Sequence, residues 1–218
     1  MTPQEGRDMR SGIGGRKYRG QQRMDKTTID YYNQNADTFA EQTVAVDFTE
    51  TQDRFLKSLR GSGILDFGCG SGRDAKYFSD LGYEVSAIDG SEELCKIARA
   101  YSGIDVRHMY FQDLDEQEIY DGIWACSSIL HLAKSELKDV LAKMGRALKP
   151  EGIIYTSFKY GEFEGERNGR YFTDFTPEAF RDFLRDVPGL CIEEYWITGD
   201  VRPGRGAEKW LNVILVKD

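Results

Sequence analysis

The apolar positions of this chain switch between two periods, and the switches divide it into elements. From Met24 a helical stripe runs through Ile29, Tyr32, Ala36 and Phe39, leaving Tyr31 and Asn35 off it. Thr49 and Gln52 stand at capping-box spacing ahead of Phe55, Leu56 and Leu59, which predicts a second helix stopped by Gly61 to Gly63. Short apolar runs then alternate with amphipathic stretches. Residues 64–67 read as a strand, followed by a helix with Ala75, Phe78 and Leu81 on one face and a second strand over 84–88. Ser91 is placed to cap a helix bearing Leu94, Ile97, Ala98 and Tyr101, and 104–109 reads as a third strand. Residues 120–126 give a fourth strand. Ser135 opens a helix through Leu137, Val140, Leu141, Met144 and Leu148, broken at 149–152, and 152–158 gives a fifth strand.

This alternation implies a parallel sheet with helices on both faces. Residues 159–174 are polar and glycine-containing, long for a connection, and so read as a functional loop. Thr176-Pro177 places a cap and a first-turn proline before Phe180, Phe183 and Leu184. The last two strands, 190–198 and 210–216, are joined by a link too short for a crossover helix, so the final strand should run antiparallel. There is no internal repeat.

Composition narrows the classes. The 218 residues suit one core, and no apolar run approaches the roughly 20 residues of a membrane span, so a cytoplasmic protein with no membrane partner is expected. A formal charge of −8 argues against nucleic acid as a partner. The four cysteines lie far apart with no C-x-x-C pair, and His108 and His131 lack metal-ligand spacing, so neither a disulfide framework nor a metal site is indicated. Residues 1–23 are basic and glycine-rich without apolar periodicity; they read as a disordered tail or non-native extension, or else as a basic arm, ahead of one domain over 24–218.

The candidate chemistry centres on Asp66-Phe-Gly-Cys-Gly-Ser-Gly72, where glycines tolerate positive φ and let a ligand approach the backbone. A dinucleotide fingerprint needs G-x-G-x-x-G, but Gly68, Gly70 and Gly72 give G-x-G-x-G and Arg73 stands at the third glycine position, so hydride transfer loses weight. With Asp89 closing the second strand and Gln112-Asp113-Leu114 following the third, the chain from Met24 onward resembles the class I S-adenosylmethionine-dependent methyltransferases. Arg73-Asp74 and the 169–177 segment look most like the branch containing tellurite-resistance methyltransferases.

The resemblance implies a single Rossmann-like, doubly wound α/β sheet of seven strands in the order 3-2-1-4-5-7-6, with residues 24–60 as a helical lid. It implies that Asp66, Gly68, Gly70, Gly72 and Arg73 surround the methionine part of S-adenosylmethionine. Asp89 and Gly90 would meet the ribose, Asp113 and Leu114 the adenine, and Cys126 the cofactor wall. Asp89 and Asp113 also have plain readings as helix or turn caps. Tyr31, off the apolar stripe, is the aromatic expected near the sulfonium, Tyr32 and Phe39 being core candidates. His131 is a candidate general base, with a structural histidine as the alternative.

Arg167, Arg170, Arg202 and Arg205 fall where a substrate rim should lie; Arg170, Arg202 and Arg205 are the candidates for an anionic acceptor, against a solvated loop balanced by Glu162, Glu164 and Glu166. The implied reaction is in-line methyl transfer to a small molecule, leaving S-adenosylhomocysteine. A nucleic-acid methyltransferase and a noncatalytic cofactor-binding module remain as alternatives. Both monomer and homodimer are open.

Overall fold

The computed structural model describes residues 26–202 and 204–218, so the expected tail over 1–23 lies outside the described residues. Three helices, α1 Lys26–Gln34, α2 Ala36–Thr43 and α3 Thr49–Ser58, lead into the alternating part: β1 Gly63–Phe67, α4 Arg73–Asp80, β2 Glu84–Asp89, α5 Glu92–Ser102 and β3 Val106–His108. There follow β4 Tyr120–Ala125, α6 Lys134–Ala147, β5 Leu148–Lys159, β6 Glu164–Arg167, β7 Arg170–Thr173, α7 Pro177–Leu184, β8 Leu190–Gly199 and β9 Lys209–Lys217. The main sheet has seven strands ordered β3-β2-β1-β4-β5-β9-β8, the order expected. The first five pair in parallel, and β9 enters antiparallel between β5 and β8.

Both faces of the sheet are covered, which is why β1 and β4 read as continuous apolar runs rather than alternating ones. Leu65, Phe67, Ile123 and Ile154 pack with Leu137, Val140 and Met144 of α6 and with Phe180 of α7. The opposite face carries Ile64, Trp124 and Tyr155 against Phe55 of α3 and Phe78 of α4. Two caps form as expected: Ser91 Oγ accepts from Leu94 N at 3.2 Å, and Thr176 Oγ1 accepts from Ala179 N at 3.2 Å behind Pro177.

Five expectations need correction. The first helix is two, parted at Asn35, whose side-chain amide donates to the Tyr31 carbonyl at 2.8 Å while its backbone leaves the helical region. The capping box at Thr49 does not form: Asp47 Oδ1 takes the Thr49 N–H at 3.0 Å, and Gln52 turns inward to Asp74 at 2.7 Å. The third strand is shorter, Val106–His108, and the fifth longer, starting at Leu148 before the Lys149-to-Gly152 turn and shifting register there against β4. The supposed loop over 159–174 contains a hairpin, β6 with β7, closed by Asn168 at φ 54° and Gly169 at φ 74°. A two-residue turn with positive φ at both positions suits the twist of paired strands, and Asn-Gly is the pair that adopts it.

Candidate active site

A cavity opens at the carboxyl ends of β1, β2, β4 and β5, where open α/β sheets bind ligands. Its floor is the turn after β1. Gly68 and Cys69 both donate to the Ile88 carbonyl at 2.9 Å, which stitches the turn to β2. Gly68, at φ 88°, has no room for a side chain: a Cβ there would lie 2.5 Å from Ser128 Cβ. Gly72, at φ 82°, serves a different purpose, because its Cβ would meet Ala98 at 3.0 Å; it allows α4 to pack on α5 and does not line the cavity.

Asp89 ends β2 and is almost wholly buried. Its Oδ2 accepts from Gly70 N at 2.9 Å and its Oδ1 from Ser91 N at 2.8 Å. Burial pushes its carboxyl up from the usual range against the pull of those two bonds. Each oxygen keeps a lone pair for a further donor. Asp66 lies behind the turn and does not line the cavity. It accepts from the backbone of Ala75, and its Oδ2 is buried without a partner. Burial, and then the nearby Asp74 charge, hold its carboxyl well above the ordinary value.

Arg73 lines the cavity, but its guanidinium is gripped by Asp74, at 2.8 and 2.9 Å, and lies 4.8 Å from the centre of the Phe48 ring. Asp74 also accepts from Gln52 and from Trp124 Nε1 at 2.9 Å, so it anchors three side chains beneath the turn. The wall beyond β4 is Cys126, Ser127 and Ser128. Burial pushes the Cys126 thiol up to about 12, leaving it unreactive at neutral pH. Ser127 sits at φ 52°, held by its N–H bond to Ser157 Oγ at 2.9 Å.

The roof comes from α1, α2 and the hairpin. Tyr171 N donates to Thr28 Oγ1 at 3.0 Å, joining hairpin to α1, and Ser91 Oγ donates to Asn33 Oδ1 at 2.7 Å, joining α1 to the start of α5. Tyr32 and Phe39 line the cavity, and Tyr31 does not. The apolar stripe, read as core, is the cavity side of the helix. Asp113 is exposed and Leu114 is buried in the core; neither lines the cavity, whereas Phe111 from the same turn does. Between them the Gln112 amide keeps both polar atoms buried without a partner.

His131 lines the cavity with both nitrogens committed. Nδ1 lies 2.6 Å from the Tyr171 carbonyl, which only accepts, so the proton is on Nδ1, and Nε2 accepts from Tyr32 Oη at 2.9 Å. Burial depresses this imidazole to about 4. It is therefore a neutral structural acceptor rather than a free base. Arg170 and Arg202 both line the cavity, as do Gly90 and Arg205. Arg202 is locked to Asp200 by bonds of 2.9 and 2.5 Å, and Arg205 stands 4.0 Å from Glu208. Arg167 binds Asp174 instead of facing the cavity.

With this geometry in view, the similarities are informative. A methyltransferase domain family matches residues 64–152, the segment holding the glycine turn, Asp89 and the wall after β4. These residues carry a methyltransferase domain, and the fold around them is consistent with the class I S-adenosylmethionine-dependent enzymes. It is 26% identical over 154 residues to an uncharacterized methyltransferase of Staphylococcus carnosus, covering 67% of this chain and 74% of that one. To the malonyl-[acyl-carrier protein] O-methyltransferase of Salmonella typhimurium it is 28% identical, over 60% of this chain and 56% of the other. It spans about half the length of further curated methyltransferases that it matches. The Burkholderia thailandensis 1,6-didemethyltoxoflavin-N1-methyltransferase, solved with its substrate and S-adenosylhomocysteine, superposes with a TM-score of 0.69 at 21% identity, covering 87% and 84% of the two chains. That likeness concerns the fold. The matches reach the family and not the finer branch.

S-adenosylmethionine is this methyltransferase family's cofactor, and the residues present fit it. The free lone pairs of Asp89 are suited to a pair of hydroxyls, and the side-chain-free surface of Gly68 to close backbone approach. Tyr32, Phe39, Phe111 and Ser157 line the cavity without having been singled out for it by the sequence. For Tyr32 and Phe39 the helical stripe is the available signal, and it is the cavity side of the helix rather than the core side.

Proposed function

We propose that this methyltransferase acts on a small-molecule acceptor. The observation that carries this reading is the roof. Tyr32 from α1 and Arg170 and Phe172 from the hairpin close over the cavity, and the Tyr171 to Thr28 bond ties the two elements together. A site so covered favours a compact acceptor over a base within a nucleic-acid strand, and the −8 charge points the same way.

The cofactor supplies an electrophilic methyl group. The chain's part is to hold both reactants in line and dry, which can be worth about 7–11 kcal/mol. Asp89 and the turn backbone fix one reactant, while Tyr32, Phe172 and the serines after β4 shape the space for the other. His131, neutral and hydrogen-bonded on both sides, positions Tyr32 rather than taking a proton from the acceptor. The test is calorimetry with S-adenosylhomocysteine, followed by transfer from labelled cofactor into cell extract separated into small-molecule and RNA fractions. Label in the small-molecule fraction is expected. Label confined to RNA would overturn the acceptor class, and absence of cofactor binding would overturn the whole reading.

A further inference from the structure

Several basic side chains line the cavity, and nearly all are neutralised. Arg73 is paired with Asp74, Arg202 with Asp200, and Lys159 and Arg205 with Glu208. Among the described residues, Arg170 is the cavity-lining cation left without a carboxylate. Its Nε is buried without a partner, and one terminal nitrogen donates to Tyr32 Oη at 3.2 Å. The acidic residues nearby in sequence do not balance it: Glu164 turns away to Lys134 and the Tyr171 hydroxyl.

The direction of each bond around Arg170 is fixed by chemistry. Arginine only donates and a carbonyl only accepts, so the sequence Arg170 to Tyr32 to His131 to the Tyr171 carbonyl runs one way and ends on a neutral group. No counter-charge enters through it. The guanidinium is instead held in position by rings, its carbon 4.4 Å from the Tyr31 centroid, 5.2 Å from that of Phe172 and 5.6 Å from that of Tyr32. Rings orient a cation and offset part of its desolvation, yet leave its fork of donors open to an anion.

A second concavity adjoins the first and shares Lys159, Arg170, Phe172 and Arg205 with it. Arg167, Arg170, Arg205, Lys159 and Lys209 line it, against Asp174 and Glu208. The approach to the acceptor end is thus net positive on a chain whose overall charge is negative, an arrangement that concentrates anions locally.

We propose that the acceptor carries an anionic group, a carboxylate or a phosphate, and that Arg170 binds it beside the transfer site. This rests on the small-molecule methyltransferase reading and narrows it. Arg170 would anchor the anion, and a different atom of the acceptor would take the methyl, because an oxygen neutralised by a guanidinium is a poorer nucleophile.

The experiment uses the full chain saturated with S-adenosylhomocysteine and titrated with benzoate, phenyl phosphate and benzamide, the last a neutral shape-match for benzoate. At least one anion should bind about tenfold or more tightly than benzamide, the effect of one charge-assisted forked contact. Which anion wins separates the carboxylate from the phosphate source. Arg170→Met and Arg170→Gln should erase the preference while S-adenosylhomocysteine affinity and melting temperature hold. Equal binding of all three probes, or a preference that survives both substitutions, would overturn the assignment. Failure of wild-type protein to bind S-adenosylhomocysteine would instead strike the methyltransferase reading, and is seen before any acceptor probe is added.

Discussion

Tyr32 gives its hydroxyl proton to His131 Nε2 across 2.9 Å, and the proton of that imidazole sits on the opposite nitrogen, facing the Tyr171 carbonyl. Charging the ring would set two donors against each other at Nε2 and place a second cation near Arg170. With only two histidines in the chain, NMR titration resolves the point directly. The signal lost in His131→Gln should keep the Nδ1–H neutral form from pH 8 down to about pH 5, as its depressed value of about 4 requires. A midpoint near the ordinary histidine value of about 6.5 would show an exposed, base-competent ring. For stability, the unfolded chain takes up this proton below about pH 6.5 before the folded one does, so this group's contribution falls as pH drops from there toward 4.

Asp66 works in the opposite sense. Its folded carboxyl is raised, so from near the ordinary value of about 3.9 upward the unfolded chain releases this proton first, and stability drains away as pH rises toward the folded value. Asp66→Asn should therefore melt higher than wild type by a margin that widens as pH rises from about 4 toward the point where the folded carboxyl ionises. A margin that stays constant as pH rises from about 4 would mean the charge is compensated in the folded protein.

Asp89→Ala should weaken S-adenosylmethionine binding by at least about tenfold in calorimetry, since it removes a charged acceptor and frees Gly70 N and Ser91 N together. Unchanged affinity in a folded variant would assign Asp89 to capping alone.

Two glycines separate backbone freedom from space. Gly82, at φ 90°, has nothing within 4 Å of where a Cβ would stand, so Gly82→Ala should cost about 1–2 kcal/mol in urea unfolding from conformation alone. Gly68→Ala adds overlap with Ser128 and should cost about 1–3 kcal/mol more. Equal costs would show that the floor of the cavity yields.

The sheet is legible in the sequence because its central parallel strands are buried on both faces and are bounded by turn signals: Gly68 after β1, Asp89 with Ser91 after β2, and the Lys149-to-Gly152 break before most of β5. Periodicity serves less well at the roof. A helical stripe reports which side is apolar but not whether core or cavity lies beneath, so it points Tyr32 to packing and Tyr31 to the ligand, whereas Tyr32 lines the cavity and Tyr31 lies under the Arg170 guanidinium. Polar side chains that bond across long separations leave no local trace: Gln52 reaches Asp74 rather than its own helix end. The hairpin does leave one, in Asn168-Gly169, but its flanking strands are charged and only four residues each, so the apolar alternation that normally accompanies such a turn is weak.

That hairpin forms a two-stranded sheet of its own, apart from the seven-stranded one. Side chains along a strand alternate between faces, so adding or removing one residue near Asn168 would turn Arg170 outward and bring a neighbour in. Such a slip changes no bond in the main sheet and nothing at Asp89. Under the proposal that Arg170 binds the acceptor, acceptor choice is housed in a hairpin of about ten residues, which single insertions would retune while the framework around Asp89 is inherited intact.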